Sequence, residues 1–341
     1  MRHVQVALLG LGNVGQAFAR YVGTTGKRDS TKLTIRAVAD SSSGLVLNPY
    51  EDADRVLTFK EQGHSISEFA RGASITDARA FITGLSNAGI SVMIESLPTN
   101  IATGQPGLDL LTHALSLGLN VVTVDKGPLL HGFDALKEAA RAGNSSFAYS
   151  GTTGVTIPTD LSGIRVFEIA GVLNGTTNYI LSEMQERGLP FDQALLKAQA
   201  DGIAEPDPSL DIEGWDSAEK ILILAKSLMQ GRAELSDISR TGINAGTQDL
   251  IRTANKTGKV VRLIGRARES EGQLRLTVAP ELVGSDSRFF SVRGTSKLAV
   301  FRTDSGEITS TSRSGRDAIA QTIMDDAIRV LDINQRATIK L

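Results

Sequence analysis

Val4-Gln5-Val6-Ala7-Leu8-Leu9-Gly10-Leu11-Gly12-Asn13-Val14-Gly15 is the stretch on which the fold is read. Its first six residues form the short apolar run that a strand buried on both faces of a parallel sheet carries. Three glycines follow in Gly-x-Gly-x-x-Gly spacing, and an apolar-patterned helix is expected from Asn13 to Tyr21. A polar connection then leads to Leu33–Ala39, a second strand ending at Asp40. Strand, helix and strand make a βαβ crossover. Gly10 permits the tight turn, Gly12 lets the backbone approach a pyrophosphate, and Gly15 allows the helix to pack closely on the strand. The phosphates would sit on the free N–H groups at the positive end of that helix. Glycine spacing alone is weak evidence; a strand before it, a helix after it and an acid ending the next strand supply the confirming context.

The alternation continues outward. Helices are expected at Ser67–Arg71, Ala78–Asn87, Gly107–Leu117 and Phe133–Ala142, with strands at Val92–Glu95 and Asn120–Val124 and an extended Ser146–Tyr149. This is the pattern of a Rossmann-type, doubly wound α/β sheet. After Ser150 the pattern changes to mixed strands and helices. Strands are expected at Arg165–Val172, Val260–Arg268, Gln273–Pro280, Leu298–Thr303 and Glu307–Thr311. Helices are expected at Thr177–Glu186, Phe191–Ala200 and Asp216–Gln230, with a long loop from Gly202 to Gly214. A last helix, Asp317–Leu331, has apolar spacing suited to returning to the first domain. The expected organisation is a dinucleotide-binding domain of residues 1–149 and 312–341 and an α+β catalytic domain of residues 150–311.

Composition narrows the classes of function. The chain of 341 residues is 41% hydrophobic and 22% charged, ordinary for a globular protein of about two domains. A net charge of −2 gives no basic field for nucleic acid or an anionic membrane. With 0 Cys, disulfides, thiolate metal sites and cysteine nucleophiles are excluded. No signal-peptide pattern and no run near the roughly 20 apolar residues of a membrane span is present, so a cytoplasmic location is expected. His3, His64, His113 and His131 are scattered without metal-ligand spacing and read as structural or solvated.

Four further features carry candidate chemistry. Asp40 stands where an acid accepts the adenosine ribose hydroxyls, which favours NAD, or it is simply a strand-end turn residue. Ser41-Ser42-Ser43, with Arg55 or Lys60, offers the alternative of a 2′-phosphate site and NADP. The segment Gly202–Lys220 crowds Glu205, Asp207, Asp211, Glu213 and Asp216 around Pro206 and Pro208. Asp216 and Lys220 share a helix face at i, i+4. They are either a solvated pair worth roughly 0.2–0.5 kcal/mol or, given the apolar Ile221–Ala225 that follows, a partly buried lysine fit to move protons. Lys126 follows the Val121–Val124 strand and so points over the carboxyl end of the sheet. Asn174-Gly175-Thr176-Thr177-Asn178 joins a strand to a helix, as a cap or as a seat for the polar end of a small substrate.

At this point the sequence resembles homoserine dehydrogenase in its short form, along nearly the whole chain. The resemblance rests on GLGNVGQ from Gly10, ESLPTN at 95–100, VVTVDKGPL at 121–129 and GVLNGTTNYIL at 171–181. It continues in GIAEPDPSLDIEGWDSAEK at 202–220 and GRDAIAQTIMDD at 315–326. It implies hydride transfer between L-homoserine and L-aspartate 4-semialdehyde with NAD or NADP, in threonine and methionine biosynthesis. Lys220 would be the proton donor to the aldehyde oxygen, and Lys126 would lie near nicotinamide and substrate. Asp216 and Glu205 would hold the substrate, supported by Asp211, with Asn174, Gly175 and Thr176 lining its pocket. Gly10, Gly12, Asn13, Val14, Gly15, Asp40, Ser41, Leu97, Lys126 and Gly315 would meet the cofactor. A sodium ion on the backbone carbonyls of Ser150, Thr153, Val155 and Ile157 is also implied, as is a homodimer.

Three positions depart from that family's pattern: Ser150 stands for its usual glutamate, Val124-Asp125 for Ala-Asn, and Leu97 for a common threonine. With the sequence ending soon after Leu331, the C-terminal regulatory extension of longer relatives is not expected. A cysteine-dependent semialdehyde dehydrogenase is excluded by the 0 Cys. A dehydrogenase for a different small hydroxy or amino acid and a non-catalytic NAD(P)-binding sensor are the competing readings. The acids and lysine of the Gly202–Lys220 segment argue against the sensor.

Overall fold

The computed structural model describes the chain except residues 26, 29, 48–52, 70–74, 159, 160, 162, 230, 231, 271, 314, 340 and 341. The helix ends expected at Arg71 and Gln230 lie outside the described residues. The chain divides into two compact units, residues 1–152 with 315–341, and residues 153–314. Both junctions fall three residues beyond the expected ones. Ser150 belongs with the first unit because its N–H donates to Asp326 Oδ2 at 2.7 Å and its hydroxyl meets Arg329 Nη1 at 3.1 Å.

The first unit contains β1 (Arg2–Leu9), α1 (Asn13–Thr25), β2 (Lys27–Arg28), β3 (Thr31–Ala39), β4 (Gly44–Val46), α2 (Ala53–Glu61), α3 (Ile66–Phe69) and α4 (Ala78–Asn87). It continues with β5 (Val92–Glu95), α5 (Gly107–Ser116), β6 (Asn120–Thr123), α6 (Lys126–Ala142), β7 (Phe147–Ala148) and the one-turn α7 (Ser150–Thr153). The sheet order is β2-β3-β1-β5-β6-β7, with β4 added on β3. Strands β3, β1, β5, β6 and β7 run parallel, while β2 and β4 are antiparallel to β3. β1 therefore has β3 on one side and β5 on the other, which creates a switch point at its carboxyl end, where such sheets bind ligands. Val6, Leu8, Phe18, Val92 and Ile94 form the core with Ala320, Ile323, Met324, Ala327 and Val330 of the C-terminal helix Arg316–Ile339. The three- and four-residue spacing of those helical positions is what seals that helix onto this sheet.

The structure corrects the start of α6, which begins at Lys126 rather than Phe133. Asp125 Oδ1 caps it by accepting the Gly127 N–H at 2.9 Å, and a first helical turn tolerates Pro128. Gly132, with φ −135°, interrupts the helix, which is why clean periodicity resumes only at Phe133. The polar α2 was not expected.

The second unit holds β8 (Val166–Val172), α8 (Gly175–Arg187), α9 (Phe191–Ala200), α10 (Ser209–Ile212), α11 (Trp215–Leu228), β9 (Ser239–Arg240) and α12 (Thr247–Lys256). Then come β10 (Val260–Ser270), β11 (Gln273–Val283), β12 (Ser296–Thr303) and β13 (Gly306–Arg313). The sheet order is β13-β12-β8-β10-β11-β9, antiparallel except for β9 beside β11. α10 breaks the expected Gly202–Gly214 loop, and α12 was likewise unforeseen. Both are too polar to announce an apolar stripe. Helices α8 and α11 pack on this sheet, and α11 crosses it at Gly265. A Cβ there would lie 3.3 Å from the Ile221 Cβ. Ala170, Val172, Ile264, Leu298 and Val300 gather in a core with Phe289 and Val292.

Candidate active site

The glycine loop has the geometry its spacing demands. Gly10 takes φ +93°, and a Cβ on it would lie 2.5 Å from the Ser96 carbonyl oxygen. A Cβ on Gly15 would lie 2.0 Å from the Gly10 carbonyl oxygen, so this glycine is what lets α1 sit against the loop. Gly12 faces open space, with nothing within 4 Å of its Cβ position. The N–H groups of Asn13, Val14 and Gly15 belong to the first turn, where α-helices leave donors without helical partners. Ser96 Oγ, donating to the Gly10 carbonyl at 2.9 Å, locks the loop to the end of β5. An anionic diphosphate fits this arrangement: open backbone at Gly12, free donors beyond it and a positive helix end. Val14 contributes its side chain to the core. Gly315 precedes the C-terminal helix, whose Ile319 N–H it accepts at 3.1 Å.

A cavity of about 420 Å³ opens beside the loop, lined by Leu9, Asp40, Ser41, Phe81, Leu97 and Leu110 among others. Asp40 is both a turn residue and a wall of this cavity. Its Oδ1 accepts the Ser42 N–H at 2.8 Å, the Ser42 hydroxyl at 2.6 Å and the Ser43 N–H at 3.2 Å. Its Oδ2 pairs with Lys60 Nζ at 2.6 Å. Burial pushes the carboxyl up, but the Lys60 ammonium and the Ser42 and Ser43 donors outweigh it and hold it at about 2. Lys60, considered above as a phosphate ligand, is thus the counter-ion of Asp40.

Below Leu97 lies a buried pair of carboxyls. Glu95 ends β5 fully buried, accepting the Leu97 N–H at 2.6 Å on Oε1 and meeting Thr123 Oγ1 at 2.5 Å through Oε2. Burial, reinforced by the charge of Asp125, pushes Glu95 up to about 8 despite those hydrogen bonds. Asp125 is also raised by burial, while its bonds to Gly127 and Thr99 and the charge of Lys126 pull the other way. Lys126 is the first residue of α6, directly after this acid.

In the second unit one residue organises the acids. Asn174 caps α8, its Oδ1 accepting the Thr177 N–H at 2.8 Å and the Thr177 hydroxyl at 3.1 Å. Its Nδ2 donates to Asp211 Oδ1 at 2.5 Å and to Asp216 Oδ2 at 2.8 Å. Both amide hydrogens and both acceptor directions are occupied. Asn174 therefore holds the two carboxylates at the start of α8. Lys220 Nζ lies 2.6 Å from Asp216 Oδ2 and 3.0 Å from the Leu173 carbonyl oxygen. The lysine and aspartate side chains are only 12% and 15% exposed, so the pair is not a solvated one. Burial, then the Asp216 charge, raises Asp211.

Thr176 Oγ1 donates to the Ile203 carbonyl at 3.1 Å, fastening the acid-bearing segment beside the start of α8, of which Gly175 is the first residue. Glu205 is exposed, and its carboxylate makes no hydrogen bond or ion pair among the described residues. Of the carbonyls considered for a cation, that of Val155 already accepts the Thr153 hydroxyl at 3.0 Å. Among the described residues no cluster of His, Cys, Asp or Glu is suited to a metal ion. Sequence reasoning missed Glu95, the Leu173 carbonyl and the buried Lys297. Lys297 had a signal, since it alternates with Ala299 and Phe301 in an apolar strand.

A family model described as homoserine dehydrogenase matches residues 155–328. The homoserine dehydrogenase of Methanocaldococcus jannaschii is 31% identical over 345 residues, covering 98% of this chain and 100% of the relative. The NAD(+)-dependent homoserine dehydrogenase of Pseudomonas canavaninivorans is 32% identical over 355 residues, covering 100% and 99%. A solved structure from Archaeoglobus fulgidus, assigned as a homoserine dehydrogenase, is similar with TM-score 0.79 and 29% identity over 96% of this chain and 99% of that one. The fold is also that of a hyperthermophilic archaeal homoserine dehydrogenase in complex with NADPH, at TM-score 0.75 and 23% identity over 96% of this chain and 98% of that one.

Proposed function

The chain belongs to the homoserine dehydrogenase family, and from that premise we propose that Lys220 is the proton-transferring residue in the interconversion of L-homoserine and L-aspartate 4-semialdehyde. NAD or NADP, when bound, supplies or takes up the hydride. An ammonium has three N–H donors, and Lys220 uses two of them on Asp216 and Leu173. The third, held in direction by the other two, is the observation that carries the reading. As hydride reaches the aldehyde carbon, its oxygen gains alkoxide charge; the remaining N–H stabilises that charge and gives it a proton. In the alcohol-oxidising direction the neutral amine takes the hydroxyl proton.

Asp216 keeps the lysine in place and Asn174 keeps Asp216 in place, so both act through Lys220. Asp216 Oδ2 is already shared between two donors, which leaves the substrate ammonium to Glu205. On the cofactor side, Gly12, Asn13, Val14 and Gly15 would offer backbone to the diphosphate, with Asp40 and Ser41 at the ribose and Leu97 and Lys126 nearer the nicotinamide. Among the described residues no helix is long and apolar enough to cross a membrane, and we place the enzyme in the cytoplasm as a homodimer by its resemblance to the family.

Purified protein given homoserine with NAD or NADP should produce the absorbance of reduced nicotinamide, and Lys220→Ala should abolish it while leaving the thermal unfolding midpoint within a few degrees. Cofactor binding without turnover of homoserine or the semialdehyde would favour the sensor or a different substrate.

A further inference from the structure

Lys297 is a basic side chain of the second sheet that lies on a closed, apolar face of its strand. It sits in β12 in alternation with Ala299 and Phe301, both fully buried, and is itself only 9% exposed. Strand periodicity puts the three on one face, and α8 packs against this strand. The pairing of Leu298 with Val172 sets Lys297 alongside Leu173, whose carbonyl accepts Lys220 Nζ at 3.0 Å. The two lysines therefore converge on the same end of β8.

Unlike Lys220, Lys297 makes no hydrogen bond and no ion pair among the described residues. Room for its ammonium is built in. Gly154, at φ +65°, passes so close that a Cβ would lie 2.5 Å from Lys297 Nζ. The strand is also held at this point: Asn178 Nδ2 donates to the Gly294 carbonyl at 2.9 Å and to the Ser296 carbonyl at 3.1 Å. Asn178 Oδ1, itself buried, accepts no hydrogen bond among the described residues. A buried ammonium with no hydrogen-bond or ion-pair partner among the described residues is costly, and a fold that keeps one has a use for an anion there.

We propose that Lys297 is the anchor for the substrate's α-carboxylate, and so a specificity-determining residue for α-amino acids over simple amino alcohols. This rests on the homoserine reading of the Lys220 site. Homoserine carries three groups to be recognised: the reacting oxygen, the ammonium and the carboxylate. Lys220 faces the oxygen and Glu205 the ammonium, while Asp211, Asp216 and Glu205 together repel a carboxylate. Lys297 is the buried cation beside that acidic cluster. Burial, then the like charge of Lys220, pushes its ammonium down to about 8 against the pull of Asp216, and a bound carboxylate would restore it.

The test compares L-homoserine with 3-aminopropan-1-ol, the same amino alcohol without its carboxylate, by turnover and by calorimetric titration. Wild-type protein should favour homoserine by at least about a hundredfold in kcat/KM. Lys297→Met should raise the homoserine KM at least about tenfold and leave kcat/KM for 3-aminopropan-1-ol unchanged, so that the preference collapses; Lys297→Arg should retain part of it. A Lys297→Met variant that folds and keeps the wild-type preference overturns the assignment. If that variant does not fold, wild-type protein alone decides, because equal binding of the two compounds overturns it without any substitution. Wild-type protein that turns over neither homoserine nor the semialdehyde refutes the homoserine reading itself.

Discussion

Lys220 Nζ and Asp216 Oδ2 meet at 2.6 Å across one turn of α11, and the oxygen they share also receives the Asn174 amide at 2.8 Å. An i, i+4 pair on an exposed helix is worth little. Here the same spacing is turned inward and fixed by a residue 42 positions away in sequence.

Asp216→Asn keeps the shape of that contact and removes its charge. The amide holds Lys220 less firmly, and kcat for homoserine oxidation should fall about tenfold to a hundredfold, by analogy with other proton-transfer partners. KM for the nicotinamide cofactor should stay put. Unchanged kcat would mean that Lys220 needs no positioning.

Gly12 and Gly15 should separate binding from folding. Gly15→Ala drives a Cβ into the Gly10 carbonyl, and the overpacking should cost about 1–3 kcal/mol or more, seen as a lower thermal midpoint. Gly12→Ala meets no protein atom within 4 Å, so its midpoint should be close to wild type. Its cofactor KM should nonetheless rise at least about tenfold, since the methyl would stand where a diphosphate must approach. Equal stability losses in the two variants would contradict this assignment of the loop.

Asp40, held at about 2, is ionised at every working pH. It can accept ribose hydroxyls, whereas a 2′-phosphate would bring further negative charge beside it. NAD should be preferred over NADP, and Asp40→Ala, which also frees Lys60, should shift the ratio of kcat/KM towards NADP by about tenfold or more. A wild-type preference for NADP would show that Lys60 dominates the pair.

Glu95 gives a pH signature. Its folded value of about 8 lies above the ordinary 4.5, so between those limits the folded chain holds a proton that the unfolded chain has released. Stability is therefore lost as pH rises through that window, at up to about 1.4 kcal/mol per pH unit. Glu95→Gln cannot ionise, and denaturant unfolding at pH 5, 6.5 and 8 should show it gaining on wild type as pH rises. Parallel curves would mean that Glu95 is ionised within the fold.

Local pattern was enough for much of this protein. The apolar run before Gly10, the three glycines and the acid at Asp40 specify a βαβ unit, because strand and helix periods and glycine's conformational range act over a few residues. The helix face shared by Asp216 and Lys220 was legible for the same reason. The start of α6 was not, since Gly127 and Pro128 look like breakers until the Asp125 cap is seen. Nor did any local rule reveal that Asn174 spends all its hydrogen bonds on two acids and a cap, that Lys60 neutralises Asp40, or that Glu95 lies beneath Leu97. Those facts come from which strands pair and in what register. The pairing of Leu298 with Val172 brings Lys297 alongside Leu173 and towards Lys220, across more than a hundred residues of sequence. Sequence alone named the fold and singled out Lys220 as the candidate proton-transferring residue; sheet topology, which trades chain entropy for distant contacts, decided which charges are buried and what each one faces.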